Sequence, residues 1–338
     1  MVPIEIVAEI SGNHNGSISR AKELIFAAKE SGATRVKIQT YTADTITINS
    51  KKKEFMISPD HPLWAGQNLY ELYSKAFTPW DWHPELFSYA SSIGIPIFST
   101  PFDVSAVNFL ESLDVDIYKI ASLETGDTDL LAAIAATGKP IYASTGASTF
   151  EQLKYMHKLL GTHRSGEITY LLCVSSYPAP LSDSNLERLK TLSSYFGGKV
   201  GLSDHCLDNR VAVTAAAMGA SVIEKHFTLS RKDGGPDAGF SLEPQEFKQL
   251  VEDLHVTANI LGSSTWMIQE SERESLRFRK SLYIVENVKA GEKISRENVR
   301  SIRPSGGLEP KEFETVLGKS FKCDVEIGTP LTLDILEQ

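Results

Sequence analysis

Short apolar segments alternate with amphipathic segments from the start of the chain to about residue 262. Eight of the apolar segments have the length of β-strands and are apolar at consecutive positions, which is typical of strands covered on both faces of a parallel sheet. The stretches between them have helical spacing, and glycines precede several later strands as helix C-caps do. The predicted strands are residues 4–10, 35–40, 95–100, 116–122, 140–145, 168–173, 199–204 and 221–226.

Eight successive β/α repeats predict an α/β fold, a (β/α)8 or TIM barrel. Residues 41–78 exceed a simple βα loop and predict a functional insertion. The segment 264–280 is polar and charged, as a linker or an exposed helix is, and short β segments with several glycines then indicate a compact β-rich domain. We therefore predict a catalytic barrel over residues 1–262, a linker over 263–280 and a small domain over 281–338.

Composition narrows the class of protein. The 338 residues are 41% hydrophobic and 23% charged, which is ordinary for a globular domain of this size. A formal charge of −9 argues against general binding to nucleic acid or anionic membrane, although a local basic pocket for a small anion is compatible with it. Three cysteines without a C-x-x-C pair, and no apparent signal or membrane segment, lead us to expect a cytoplasmic protein.

Two predicted neighbouring strands end in histidine, at His205 and His226, with a predicted helix over 212–219 between them. The C-terminal ends of successive barrel strands lie side by side, so the two imidazoles favour a site for a divalent metal. The alternative for each is a hydrogen-bonded core histidine. His14 is a possible third ligand, but residues 13–16 are also typical of a tight turn.

Most of the other predicted strands also end in polar residues. Lys37 and Lys119 lie in otherwise apolar strands, where an unpaired lysine is costly to bury. Together with nearby hydroxyls they predict a cradle for a phosphate and a carboxylate, whereas the alternative is a lysine whose ammonium group reaches water. Glu9 and Glu124 are candidates for a general acid or base.

Two further groups of residues have a structural interpretation. The aromatic side chains within and just after the insertion are expected to pack it over the barrel, or to form a wall for a substrate; they are Trp64, Tyr70, Tyr73, Phe77, Trp80 and Trp82. The remaining histidines are expected at the surface; they are His61, His83, His157, His163 and His255.

An ordered set of motifs resembles the sialic acid synthase family over nearly the whole chain. The C-terminal segment 281–338, with Ile-Arg-Pro-Ser-Gly-Gly at 302–307, resembles the family's C-terminal antifreeze-like domain (SAF, a β-clip fold), which is similar to type III antifreeze proteins. The motifs in the barrel lie at residues 8–16, 37–40, 99–102, 118–122, 144–146, 201–205 and 224–227.

The resemblance implies condensation of phosphoenolpyruvate with an acylamino sugar aldehyde to give a nine-carbon keto acid and phosphate. It implies Mn²⁺ or Mg²⁺ on His205 and His226, catalytic roles for Glu9, Glu124 and His226, and a domain-swapped homodimer in which Arg303 reaches the sugar bound by the partner subunit. The implied sugar contacts are Gln39, Tyr177, Asp237 and Arg303. The implied phosphoenolpyruvate contacts are Lys37, Thr100, Lys119, Ser122, Ser144, Ser175 and Ser203.

Ser175 departs from the common family pattern, which often has asparagine there. Serine at this position, together with residues 39–47, 68–73 and 78–83, resembles the pseudaminic acid synthase branch. That branch implies a 2,4-diacetamido-2,4,6-trideoxy-altrose as the sugar. N-acetylneuraminic and legionaminic acid synthesis remain alternatives, and more distant ones are a barrel metallohydrolase and a carbohydrate- or ice-binding protein.

Overall fold

The structure is a computed structural model of the protein, and it describes residues 4–60, 63–162 and 166–337. The chain forms two compact units, Met1–Gly262 and Ser263–Gln338. Each is described separately below. No helix among the described residues is long and apolar enough to cross a membrane.

The first unit is a closed parallel barrel. Among the described residues, eight strands pair in sequence order, and β8 pairs in parallel with β1 to close the cylinder. The predicted strands are confirmed, with ends that differ by up to two residues. They are β1 (Glu5–Glu9), β2 (Arg35–Thr40), β3 (Ile97–Pro101), β4 (Tyr118–Ile120), β5 (Ile141–Ser144), β6 (Ile168–Cys173), β7 (Val200–Asp204) and β8 (Val222–His226).

Helices connect the strands, as the spacing predicts. Several begin at a side chain that accepts a hydrogen bond from the first turn, as Asp103 and Asp127 do. The α-helices described in this unit are α1 (Ile18–Glu30), α2 (Ala43–Ile46), α3 (Leu69–Ala76), α4 (His83–Ser92), α5 (Val104–Glu111), α6 (Thr128–Ala136), α7 (Phe150–Thr162), α8 (Arg188–Phe196), α9 (Arg210–Ala217) and α10 (Pro244–Leu261). The insertion after β2 contains α2 and α3.

The strands are apolar on both faces because both faces are buried. Residues such as Ala8 and Ile38 pack outward into the large core shared with the helices. The opposite face of each strand points into the barrel, since successive side chains of a strand alternate. There a separate apolar layer fills the cylinder, formed by Val7, Phe98, Ile117, Tyr142, Leu171 and Val222. The next inward positions toward the C-terminal ends are polar, and they form the site described below.

The second unit has its own small core. It contains an antiparallel pair, β9 (Ser281–Ile284) and β10 (Val299–Ile302), and a short helix, α11 (Phe313–Val316). Its core residues include Leu282, Ile284 and Phe321, each fully buried. The preceding segment forms an exposed 3-10 helix at Glu270–Phe278.

Candidate active site

Three charged side chains meet inside the barrel at the C-terminal ends of its strands. The Nζ of Lys37 lies 2.8 Å from Glu9 Oε2 and 2.8 Å from Glu224 Oε1. All three side chains are buried. Glu9 also accepts hydrogen bonds from the backbone N–H and the hydroxyl of Ser11 at 2.7 and 2.8 Å. Lys37 therefore has two buried counter-charges, so the alternative of a lysine that reaches water is wrong for this residue.

Glu224 is a central member of this cluster that the sequence interpretation did not select. Besides Lys37, its Oε1 accepts a hydrogen bond from Ser203 Oγ at 2.9 Å and lies 3.9 Å from Lys119 Nζ. Burial alone would raise the pKa of Glu224, but the positive charges of Lys119 and Lys37 outweigh it and lower the pKa to about 2. The signal was present in the sequence, because Glu224 is two residues before His226 and so shares its face of β8.

Lys119 occupies the opposite side of the cluster. Its Nζ donates hydrogen bonds to Ser144 Oγ at 2.6 Å and to the Ile120 carbonyl oxygen at 3.0 Å. Burial lowers its pKa to about 8, although Glu224 acts in the other direction. Lys119 thus lies near the boundary between the charged and neutral forms at neutral pH, and an anionic ligand would favour the charged form.

Two of the predicted phosphoenolpyruvate contacts have buried hydroxyls with no hydrogen-bond partner among the described residues. They are Thr100 Oγ1 and Ser175 Oγ. Buried hydroxyls are normally paired, so both point to a ligand oxygen. At Gly146 an added Cβ would overlap the hydroxyl oxygens of Ser175 and Ser122, so only glycine leaves this space open. The arrangement is a cradle with hydroxyl donors and two lysines, which suits a small polyanion.

The two predicted metal histidines do come together, with ring centroids 5.3 Å apart. The Nδ1 of His205 donates to the Val174 carbonyl oxygen at 2.8 Å, so in the neutral imidazole the lone pair is on Nε2. Burial lowers the pKa of His226 far below its ordinary value, with the neighbouring His205 acting in the same direction. Burial alone would lower the pKa of His205 as well, but Cys173 and the Val174 carbonyl outweigh it and raise that pKa. The neutral imidazole is the form that binds a metal, so a divalent cation on this pair would displace a proton from His205 and complete its coordination with water or substrate oxygens.

The described residues contain no group of three or more histidine, cysteine, aspartate or glutamate side chains arranged to hold a metal. The structure supports the tight turn predicted for residues 13–16. The Nδ1 of His14 accepts a hydrogen bond from the Gly16 N–H at 3.1 Å, and its ring packs edge-on against Trp82. The prediction that His83 lies at the surface is wrong. His83 is fully buried, with Nε2 2.8 Å from Thr40 Oγ1, because α4 packs directly onto the barrel.

His255 is exposed as predicted, whereas His157 is half-buried and hydrogen-bonds Tyr170. His61 and His163 lie outside the described residues.

A cavity of about 380 Å³ opens beside His226, and the predicted sugar contacts of the barrel line it. Gln39, Glu124, Tyr177 and Asp237 line it together with His226. Burial raises the pKa of Glu124 to about 7 and that of Asp237 to about 6. Both groups can therefore exchange a proton near neutral pH, as a general acid or base must.

Arg303 lies in the second unit, directly after β10, and its side chain is exposed. It is thus the one predicted site residue outside the barrel unit. All the others lie on barrel strands or on the loops that follow them, and the structure brings them to one end of the cylinder.

Ionisable side chains at the C-terminal ends of parallel barrel strands are the arrangement in which (β/α)8 enzymes build their active sites. Residues 24–265 match the NeuB family, and residues 279–337 match the SAF domain. The chain belongs to the NeuB family, the family of sialic acid synthases, as the motifs predicted.

Similar proteins agree with this assignment. The chain is 41% identical to the pseudaminic acid synthase of Helicobacter pylori, over 99% of this chain and 98% of that protein. It is 34% identical to the N,N'-diacetyllegionaminic acid synthase of Legionella pneumophila, over 98% and 94%. Among solved structures, the N-acetylneuraminic acid synthetase of Leptospira borgpetersenii is 31% identical, with a TM-score of 0.73 over 82% of this chain and 91% of that chain.

The predicted fold class, a TIM barrel followed by an antifreeze-like SAF domain, is thereby confirmed. The chain is an enzyme of the kind that forms a carbon–carbon bond with release of phosphate. Among the branches of the family, it resembles the pseudaminic acid synthases.

Proposed function

We propose that the protein condenses phosphoenolpyruvate with a 2,4-diacetamido-2,4,6-trideoxy-hexose of the altrose type and water, and releases pseudaminic acid and phosphate. The observation that carries the proposal is the cradle around Lys37 and Lys119, whose buried hydroxyls on Thr100 and Ser175 lack partners. The choice of sugar is supported by 41% identity to relatives named pseudaminic acid synthase. N-acetylneuraminic or legionaminic acid synthesis is the second candidate, favoured by the 34% identical legionaminic acid relative.

Phosphoenolpyruvate carries a phosphate and a carboxylate, and the cradle has two cationic groups to match them. Lys37 and Lys119 would neutralise the two anionic ends. Hydroxyls around them would supply directional donors, from Thr100, Ser122, Ser144, Ser175 and Ser203. The apolar layer beneath excludes water from below, which strengthens these charge contacts. Bound between the two lysines, phosphoenolpyruvate would replace part of the ion pairing that they make with Glu224 and Glu9 in the free protein.

His205 and His226 would hold a divalent cation, Mn²⁺ or Mg²⁺, next to both the cradle and the cavity. When bound, the cation supplies Lewis-acid polarisation of a carbonyl oxygen. The protein's own contribution is to fix the imidazoles, through the Val174 carbonyl for His205 and Ser11 Oγ, 3.3 Å away, for His226.

The chemistry joins C3 of phosphoenolpyruvate to the aldehyde carbon of the open-chain sugar. Water then adds at C2, and the resulting intermediate collapses with cleavage of the C–O bond to phosphate. Glu124 and Glu9 are the proposed proton carriers, and Glu124 is the better placed of the two because it faces the cavity while Glu9 is paired with Lys37. Gln39, Tyr177 and Asp237 would hold the sugar.

We also propose that the protein is cytoplasmic and forms a domain-swapped homodimer. Arg303 would then contact the sugar in the partner's barrel, which is a role suited to an exposed arginine with five hydrogen-bond donors.

A panel of acylamino hexoses, each incubated with phosphoenolpyruvate and Mn²⁺ and analysed by product mass, tests the proposal. We expect a nine-carbon keto acid and one equivalent of phosphate with the diacetamido trideoxy-altrose, and neither product when one substrate is omitted. A product only from N-acetylmannosamine would instead establish the N-acetylneuraminic acid alternative. Phosphate release from a phosphorylated sugar without phosphoenolpyruvate would indicate a metallohydrolase.

A further inference from the structure

The cavity next to the histidines has two chemically different sides. The barrel supplies its charged and imidazole groups, among them Glu124, Asp237 and His226, and also some apolar lining such as Phe102 and Phe240. The described residues of the insertion 41–78 that line the cavity are all apolar or aromatic. A ligand that fills the cavity therefore finds charged and imidazole partners only on the barrel side among the described residues, and it must present apolar groups to the insertion.

Helix α3 forms the most regular part of the apolar side. Leu69, Leu72, Tyr73 and Ala76 all line the cavity, and their spacing of i, i+3, i+4 and i+7 is one face of a helix. Such a stripe ordinarily packs against a protein core. Here it faces a space of about 380 Å³. Covering such an apolar face with an apolar group of a ligand is favourable, because it removes apolar surface from water.

Two tyrosines mark where the sides meet. The rings of Tyr41 and Tyr73 pack edge to face, with centroids 5.8 Å apart. Burial raises the pKa of Tyr73, and the neighbouring Glu124 acts in the same direction. Burial raises the pKa of Tyr41 as well, and there Asp237 contributes. Tyr41 and Tyr73 both line the cavity, and the two leucines of α3 give this part of the lining a purely apolar surface.

We propose that the inward face of α3 selects the sugar by contacting the methyl group of a 6-deoxy acylamino sugar, with Leu69 as a specificity-determining residue. This inference rests on the proposed function, because it assumes that the sugar occupies this cavity with its reacting end toward His226. A hydroxymethyl group in the same place would bury its hydroxyl against leucine side chains without a partner. Apolar pockets discriminate against an added hydroxyl by about 100-fold at most.

Leu69→Asn and the matched variant Glu71→Asn test the inference. Both place asparagine in the same helix, but Glu71 is exposed and does not line the cavity. The substrates are 2,4-diacetamido-2,4,6-trideoxy-altrose and its 6-hydroxy analogue, which differ by one oxygen. We expect the unmodified protein to prefer the deoxy sugar at least tenfold in kcat/KM.

Leu69→Asn should reduce kcat/KM for the deoxy sugar by about 10- to 30-fold and shrink the preference to about threefold or less. The KM for phosphoenolpyruvate should stay within about twofold. The separate variant Leu69→Met, which keeps an apolar side chain, should retain the preference for the deoxy sugar. Glu71→Asn should resemble the unmodified protein. An unchanged preference in Leu69→Asn, an equal loss with both sugars, or the same effect from Glu71→Asn would overturn the inference.

Failure of the proposed function and failure of this inference about α3 give different results. If no acylamino sugar supports phosphate release from phosphoenolpyruvate, the proposed function fails, and this inference fails with it. If condensation occurs but the unmodified protein does not distinguish methyl from hydroxymethyl, the proposed function stands and only the role of α3 is wrong.

Discussion

Glu224→Gln should change how phosphoenolpyruvate binding depends on pH, because this variant removes a counter-charge of Lys119. The two groups are 3.9 Å apart, which corresponds to about 4 kcal/mol of attraction at an effective dielectric constant of about 20. Lys37 keeps Glu9 as a partner at 2.8 Å. Lys119 has no second carboxylate within 4 Å among the described residues, so the effect should fall mainly on Lys119.

The direction of the pH dependence follows from Lys119, because its charged form is the one that binds the anionic ligand. The pKa of Lys119 is about 8 in the free protein, so kcat/KM for phosphoenolpyruvate should be highest below that pH and fall as the pH rises through it. Without Glu224 the pKa of Lys119 drops further. If only a third of the attraction is lost, about 1.4 kcal/mol, the charged fraction at pH well above the new pKa falls about tenfold.

Phosphate release measured from pH 6 to 9 provides the assay, with Glu167→Gln as the control. Glu167 forms an exposed pair with Lys199 at 3.1 Å, and surface pairs of this kind contribute only about 0–1 kcal/mol. We expect the Glu224→Gln profile to shift to lower pH and to approach the unmodified protein near pH 6. A loss of kcat/KM that is equal at every pH would refute the reasoning.

Four further predictions follow from the site. Thr100→Val should raise the KM for phosphoenolpyruvate about 5- to 10-fold while the melting temperature stays the same or rises, because it removes an unpaired buried hydroxyl; a lower melting temperature would mean that the hydroxyl is paired. Glu124→Gln should remove an inflection near pH 7 from the pH profile of kcat, and a retained inflection would assign that proton elsewhere. His205→Ala and His226→Ala should each abolish turnover with an unchanged circular dichroism spectrum; normal turnover of both in chelator-treated buffer would exclude a metal on this pair. Arg303→Ala should raise the KM for sugar more than that for phosphoenolpyruvate, whereas equal effects would remove its assigned role.

Much of the barrel and its site follows from local sequence patterns. The strands are buried on both faces, so their apolar residues stand out, and a charged residue within them signals a special environment, as at Lys37 and Lys119. Parallel strands in a closed cylinder must end on one rim. His205, directly after β7, and His226, the last residue of β8, are therefore neighbours, and the structure places their ring centroids 5.3 Å apart.

Other features depend on tertiary contacts that the sequence does not display. His83 begins a helix, a position that is usually exposed, yet α4 packs it against Thr40 and the ring of Phe109. Glu224 lies two residues before His226, and alternation places both inside the barrel, but its pairing with Lys37 and Ser203 exists only between strands that are distant in the sequence. The apolar stripe of α3 has the pattern of a core helix, and only the structure shows that it faces a cavity.

The central claim is that this rim joins phosphoenolpyruvate to an acylamino sugar with C–O cleavage. The most direct measurement is one reaction in ¹⁸O-labelled water with both substrates and Mn²⁺, followed by the masses of the keto acid and the phosphate. The account predicts that the label enters the keto acid at C2 and that the phosphate stays unlabelled. Labelled phosphate, or phosphate released without sugar, would contradict it.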